Sequence, residues 1–260
     1  MNKQQLVDMA EFLKYKDYSW KEITIGCSNT QVFEISKGGE VVFLKIGENG
    51  ALTQEYESLK LLNGYLSIPK VVKYINDGEF EYLLTEKMPG EMSCDDIHLE
   101  NEDQTLEVLV FAIKQIQNVK LDDNLKENLN VYKIEDELLT IKEKIDKKEI
   151  TNLPNKTVFN KFTNLNEVYK YLVENKPTDQ LVFSHGDVSM PNVFINNGKL
   201  AGFIDIGNVG IRQKWYDIAD AYVSVRRNFE SQEVADKFLA KLGINDKSAV
   251  EYYEMLIDLG

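Results

Sequence analysis

Two short stretches hold the residues best suited to chemistry: Ser184-His185-Gly186-Asp187-Val188-Ser189-Met190-Pro191-Asn192 and Phe203-Ile204-Asp205-Ile206-Gly207. Asp187 and Asn192 lie five positions apart in a loop that follows a strand-like run, and Asp205 ends the second strand of the hairpin that comes next. A hairpin folds its end back beside its start, so the three oxygen-bearing side chains are expected to converge. Carboxylate and amide oxygens are what Mg²⁺ accepts, with waters and phosphate oxygens completing its octahedron. Asn192 and Asp205 are therefore candidate metal ligands, and Asp187 is left to face a substrate hydroxyl. Each half alone is ordinary turn chemistry, because Asp and Asn readily bond their own backbone. Both halves in order, separated by an Asn-Gly hairpin, point to phosphoryl transfer. His185 reads as a packing and hydrogen-bonding element of the loop rather than an acid or base.

A matching cation lies in the first third of the chain. Lys45 interrupts the apolar run Val41-Val42-Phe43-Leu44-Lys45-Ile46. Strand alternation puts Val42, Leu44 and Ile46 on one face and Val41, Phe43 and Lys45 on the other. An ammonium on a half-buried strand needs an anion, since an unpaired buried charge is costly; the alternative is a lysine that snorkels from a sheet edge. Glu55 and Glu57 are both within reach in sequence. Glu55 falls four residues before Leu59 on the apolar stripe of the following helix and is the expected partner, with nucleotide phosphates sharing the charge. The order H-G-D-x-x-x-x-N and then I-D-x-G parallels the catalytic loop and metal-binding segment of kinases. The link Thr24–Val32 is no P-loop, as nothing matches G-x-x-x-x-G-K-[ST], but its backbone N–H groups and the Ser28 hydroxyl are suited to a phosphate.

These residues need elements to position them. Short β-rich runs at 22–25, 31–36 and 41–46, a helix carrying Leu52, Leu59 and Leu62, and a hairpin of 71–75 with 80–85 make a small antiparallel sheet domain. Asp77-Gly78 predicts a type I′ turn in that hairpin, and Asn197-Gly198 another between 193–195 and 200–204. After Pro89-Gly90 helices dominate. Apolar stripes run through Leu106, Leu109, Val110, Ile113 and Ile116, through Leu138, Ile141 and Ile145, and through Val168, Leu172 and Val173. Further helices are expected at 215–228, 231–242 (Ser231 as N-cap, Gly243 after its end) and 248–259. The fold class is α+β with two lobes: residues 1–88 form a β-rich lobe and 89–260 a larger, mainly helical one.

Composition narrows the function further. Forty-three acidic against thirty basic residues give 260 residues a net charge of −13. Duplex DNA and anionic membranes need a basic footprint, so neither is an expected partner. A cationic small molecule is, since residues 95–137 hold twelve Asp or Glu against four Lys. Cys27 and Cys94 have no metal-type spacing, and the longest apolar run, Val108 to Ile113, is too short to span a bilayer. A soluble, cytoplasmic protein, monomeric or weakly dimeric, is expected.

The segments Leu181–Asp187, Gly202–Gly207 and Lys214-Trp215-Tyr216-Asp217-Ile218-Ala219 resemble the aminoglycoside 3′-phosphotransferases, antibiotic-resistance kinases with a protein-kinase-like fold. The resemblance extends to the Lys45 strand, the Glu55 helix and the closing Glu251-Tyr252-Tyr253 helix. It implies that Asp187 accepts the proton of the attacking hydroxyl, and that Asn192 and Asp205 bind Mg²⁺. It also implies that Lys45, steadied by Glu55, holds the nucleotide phosphates together with Ser28. Phe43 would stack on adenine, and Glu86 C=O and Met88 N–H would bond its edge. The nucleotide would be ATP, with GTP not excluded. Asp187, Asn208, Asp258 and Gly260 fall where relatives contact the acceptor. Relatives place glutamates before the 164–175 helix, where this chain has Leu153-Pro154-Asn155-Lys156-Thr157 and no carboxylate. A metabolic kinase for choline, a sugar or a glycated amine, or a kinase for another antibiotic class, is the alternative on the same scaffold.

Overall fold

A computed structural model describes residues 6, 9–23, 30–178 and 180–260. The chain divides into two compact units, residues 1–89 with 203–207, and residues 90–202 with 208–260.

In the first unit, strands β1 (Ser19–Ile23), β2 (Gln31–Lys37), β3 (Glu40–Glu48), β4 (Val71–Asn76) and β5 (Phe80–Glu86) form an antiparallel sheet in the order β1-β2-β3-β5-β4. Helix α1 (Thr53–Leu61) makes the connection from β3 to β4. Alternation in β3 is as expected: Val42, Leu44 and Ile46 are buried, while Val41, Phe43 and Lys45 are half-buried. The buried set joins Phe33, Ile35, Tyr82 and Leu84 beneath Leu6, Phe12 and Tyr15, the last two from the 3-10 turn Ala10–Tyr15. One sheet face thus makes a core, and the other remains for Lys45.

The 77–79 turn differs from expectation. A type I′ turn needs positive φ at both central residues, and here Gly78 has φ +94° while Asp77 does not take a positive φ. The Asp77 carboxylate accepts the N–H groups of Glu79 (2.9 Å) and Phe80 (2.7 Å). Its side chain thereby forms the turn, as Asx residues do. Asn197 and Gly198, at φ +52° and +69°, do form the expected turn.

The second unit opens with β6 (Glu91–Met92) and helices α2 (Asp96–Leu99), α3 (Glu102–Gln117), α4 (Asp123–Asn128), α5 (Ile134–Asp146) and α6 (Leu165–Glu174). Strands β7 (Leu181–Ser184), β8 (Val193–Asn196), β9 (Lys199–Phe203) and β10 (Gly210–Gln213) follow, then α7 (Trp215–Asn228), α8 (Gln232–Lys241) and α9 (Ser248–Leu259). β7 pairs with β10, and β8 lies between β6 and β9. The α3 stripe is buried throughout. Of the α6 stripe, Val168 and Leu172 are buried but Val173 is 41% exposed, because it falls one position past the inward face. Ser231 caps α8, its hydroxyl accepting the Val234 N–H. No described helix is long and apolar enough to cross a membrane.

A buried carboxylate joins α1 to the sheet. Glu81 of β5 accepts from the Leu52 N–H at 2.5 Å, from Thr53 Oγ1 and from the Tyr74 hydroxyl at 2.7 Å. Burial works to raise its pKa, but the hydrogen bonds from Thr53, Tyr74 and the Leu52 and Gly50 backbone outweigh that and hold it at about 2. We expect Glu81→Ala to cost about 2 kcal/mol in urea unfolding, through the donors left unpaired. Because the folded-state pKa is depressed, this stabilisation is present above the ordinary value of 4.5 and is lost as pH falls through about 2. The gap in stability between wild type and Glu81→Gln should close over that acid range.

Candidate active site

Lys45 lies opposite Leu83 of β5 and Val32 of β2, in the middle of the first sheet. Its Nζ reaches both oxygens of Glu55, at 2.7 and 2.8 Å, and Asp205 Oδ1 at 3.2 Å. The expected partner is thus the observed one, and the edge-lysine alternative is set aside. Burial alone would lower the lysine's pKa, but the Glu55 and Asp205 carboxylates more than offset it, and the ammonium is held charged above its ordinary range.

The Asp205 segment belongs to the same unit for visible reasons. The Phe203 N–H donates to the Ser67 carbonyl at 2.9 Å, and a Cβ placed on Gly207 would lie 3.6 Å from that of Glu55. Asp205 takes φ +58°, a left-handed conformation that costs a non-glycine residue on the order of 1 kcal/mol. Its side chain is 52% exposed. A carboxylate with one oxygen on Lys45 and much of its surface open is well placed to accept a further cation.

In the second unit the loop after β7 carries Asp187 and Asn192. Ser184 pairs with Gly210 where β7 meets β10, and His185 is fully buried. Asp217 of α7, 2% exposed, accepts from Ser184 Oγ (2.8 Å), the His185 N–H (2.9 Å) and the Gly186 N–H (3.0 Å). The Asp187 N–H turns to His185 Nδ1 at 3.3 Å, which gives His185 the structural role expected of it. Gly186 has φ +82°, and a Cβ there would stand 2.3 Å from the Asn208 carbonyl oxygen, so no other residue fits. The Asn192 Nδ2 donates to the Asp187 carbonyl (3.0 Å) and to Ser189 Oγ (3.3 Å). Those bonds fix the orientation of the amide. Taken each by itself, an amide oxygen and a carboxylate are donor types that a hard divalent cation accepts.

The remaining sequence candidates fare differently. Phe43 shares the Lys45 face of β3. Met88 is buried, and the Glu86 N–H donates to the Lys70 carbonyl at 2.9 Å. Ser28 lies outside the described residues. Asn208 sits in the 3-10 turn Ile206–Asn208, its carbonyl accepting from Arg212 Nη1 at 2.8 Å. Asp258 and Gly260, the further acceptor candidates, both meet lysines. Lys156 pairs with the Asp258 carboxylate, and Lys144 bonds the Gly260 carbonyl. A lysine thus occupies each, one of them from the segment that lacks carboxylates.

The sequence alone gives Asp217 no role, although it lies in the Trp215-Tyr216-Asp217 run that carries the resemblance. Nor does it give one to Arg212, which is buried with its guanidinium 3.5 Å from the Tyr132 ring centre and 4.8 Å from that of Tyr216. The only available signal was two charged residues in an apolar stretch, each of which needed a buried partner.

A kinase-like small lobe with a paired lysine, and a helical unit with a carboxylate-held loop, define the class as phosphotransferases of protein-kinase-like fold. The profile described as Phosphotransferase enzyme family matches residues 19–253, and the chain belongs to that family. It is 27% identical over 244 residues to an aminoglycoside 3′-phosphotransferase of Enterococcus faecalis, covering 91% of each chain. It is 29% identical over 242 residues to one of Niallia circulans, covering 88% of each. Among solved structures it is similar to aminoglycoside phosphotransferase APH(3'')-Id of Streptomyces rimosus with ADP and streptomycin, at TM-score 0.73 and 19% identity, covering 100% of this chain and 99% of that one.

Removing the charge that organises the loop should be costly. Asp217→Asn turns an amide N–H toward donors that already point at this site. We expect a loss of about 3 kcal/mol in urea unfolding, with Ser184→Ala costing nearer 1 kcal/mol because one hydrogen bond of three is removed.

Proposed function

We propose that this protein transfers the γ-phosphoryl group of ATP to a hydroxyl of a cationic small molecule. An aminoglycoside, modified at its 3′-hydroxyl and so inactivated as an antibiotic, is the leading acceptor. The observation that carries the reading is Lys45 held between Glu55 and Asp205, together with Asp187 in a loop fixed by Asp217. The names of the Enterococcus faecalis and Niallia circulans relatives support the acceptor class. Residues 1–88 would bind the nucleotide and 89–260 would supply the loop and the acceptor site, with the monomer or a weak dimer acting in the cytoplasm.

The residues divide the work by their chemistry. The Lys45 ammonium binds the α- and β-phosphate oxygens, Glu55 keeping it aimed along the strand face, and Ser28 adds a hydroxyl donor. Phe43 stacks on the adenine, while Glu86 C=O and Met88 N–H bond its edge. Asp187 orients the acceptor hydroxyl and takes its proton as the oxygen attacks phosphorus. Its backbone is gripped on several sides, so little reorganisation remains at the moment of transfer. Asp205 and the Asn192 oxygen would hold Mg²⁺, which when bound neutralises charge on the phosphates. No covalent enzyme intermediate is needed.

A second reading has its own observation. Lys156 neutralises the Asp258 carboxylate, one of the acidic candidates for acceptor contact. That favours an acceptor with fewer ammonium groups, of the choline, sugar or glycated-amine type or from another antibiotic class, and it leaves Asn208 as a neutral contact.

The decisive experiment incubates the protein with Mg-ATP and a panel of kanamycin-type, neomycin-type, macrolide, choline-type and sugar acceptors, and reads phosphate mass gained. Gain on the aminoglycosides is expected; gain only on the others selects the second reading, and gain on none removes both. Asp187→Ala should lower kcat about a hundredfold or more while leaving nucleotide affinity intact. Asp205→Ala should instead weaken nucleotide binding only when Mg²⁺ is present, as calorimetry with and without the metal would read.

A further inference from the structure

Helix α7 presents a second carboxyl to the catalytic loop. Asp217 and Asp220 are three residues apart on it, so their side chains share one face about a turn apart. Asp217 takes the N–H groups of His185 and Gly186. Asp220 lies toward the Val188 N–H, and one turn further along the same helix Ser224 Oγ accepts the Met190 N–H at 2.8 Å. The chain is therefore held on both sides of Asp187. The neighbours Ala219, Ala221 and Tyr222 are buried, and packing alone would be served by an apolar side chain at 220. Instead Oδ2 of Asp220 is buried with no hydrogen-bond partner, a cost that calls for a reason.

We propose that Asp220 is a positioning residue for phosphoryl transfer, its ionised carboxylate holding the Val188 side of the loop as Asp217 holds the Gly186 side. The inference rests on the proposed role of Asp187. A charged acceptor makes a bond to an N–H roughly twice as strong as a neutral one. Loss of the charge would therefore loosen the loop one residue from the reacting side chain.

The charge is adjustable. Burial comes first, then Asp187 from the loop and Asp217 from the same helix, all raising the Asp220 pKa, while the Val188 hydrogen bond and Arg227 lower it; the balance stands at about 7. On the helices packed against α7, Glu254 of α9 pairs with Arg226 and Asp236 of α8 with Lys247. From α3, the neutral Gln117 amide bonds the Lys214 carbonyl.

The test compares wild type, Asp220→Asn and Asp220→Leu as full-length protein with Mg-ATP and any acceptor that wild type phosphorylates. Wild-type kcat should rise severalfold between about pH 6 and about pH 8.5. Asp220→Asn keeps an oxygen for Val188 without a charge and should stay at the wild type's low-pH level throughout. Asp220→Leu leaves the N–H unpaired and should fall about tenfold below Asp220→Asn, with KM for ATP unchanged in both. The ratio of wild type to Asp220→Asn cancels titration of the acceptor's own amines. A ratio flat with pH, or wild-type kcat in Asp220→Leu, overturns the proposal.

Thermal unfolding gives a readout free of activity. A carboxyl with a raised folded-state pKa binds its proton more tightly than the unfolded chain does. Its contribution to stability is present at acid pH and is lost as pH rises from the ordinary aspartate range to about 7. The melting point of Asp220→Asn relative to wild type should therefore climb between about pH 5 and about pH 8. A constant difference would show that Asp220 does not titrate there and would overturn the proposal even in an active enzyme. A wild type that transfers no phosphate would instead refute the reading of Asp187 on which it rests.

Discussion

An ammonium in the middle of a sheet is the constraint from which the first unit follows. Lys45 stands on β3 between residues that belong in a core, and its charge cannot be left without anions there. Glu55 meets it at 2.7 Å, which requires α1 to present that residue to the sheet. Asp205 meets it at 3.2 Å, which requires a segment from far along the chain to return to this unit. The return is secured by ordinary means, a backbone bond from Phe203 to Ser67 and a glycine at 207 lying against Glu55. The ion pair thus explains why residues 203–207 pack with the first unit although their neighbours in sequence pack with the second. It also keeps the lysine charged, the condition for binding phosphate.

The second unit uses the opposite charge for a similar end. One buried carboxylate, Asp217, gathers donors from three successive residues. A carboxylate that accepts several N–H and O–H groups is well compensated for its burial. It also does what a side chain aimed at Asp187 itself could not. The loop is held mostly through its backbone N–H and C=O groups, and the Asp187 carboxylate accepts no hydrogen bond among the described residues. Gly186 makes this geometry possible by letting the Asn208 carbonyl close on the loop from the other side.

What could be read from the sequence were features set by local periodicity. Two-residue alternation placed Phe43 and Lys45 together, and helical spacing chose Glu55 over Glu57. The boundaries of α7 and α9 fell at the expected 215–228 and 248–259, and Ser231 capped α8 as expected. Local rules failed where a side chain replaced the backbone's preference, as Asp77 did by capping its own turn, and where a stripe ran one residue too far, as at Val173. Long-range pairings stayed hidden for a different reason. Nothing in one chain says that Asp217 will face the loop thirty residues upstream, or that Lys156 will meet Asp258. Such contacts depend on how helices pack, and a buried charge announces only that some partner must exist.

Charge on the acceptor side follows the same distinction between a surface and a site. Of the acids in residues 95–137, Glu102 pairs with Lys237, while Asp103 and Glu107 share Lys241. Those pairs lie at the surface, half-buried at most, and such pairs contribute little energy. The excess negative charge that remains can draw a cation toward the protein, but steering needs only a field, whereas selecting an acceptor needs groups at fixed positions. The C-terminal groups are at fixed positions, and lysines hold them. Net charge therefore argues for a cationic acceptor in general, and the Lys156–Asp258 pair argues against one that depends on an ammonium contact to that carboxylate. The number of cationic groups on the acceptor is thus the property on which the two readings of this enzyme divide.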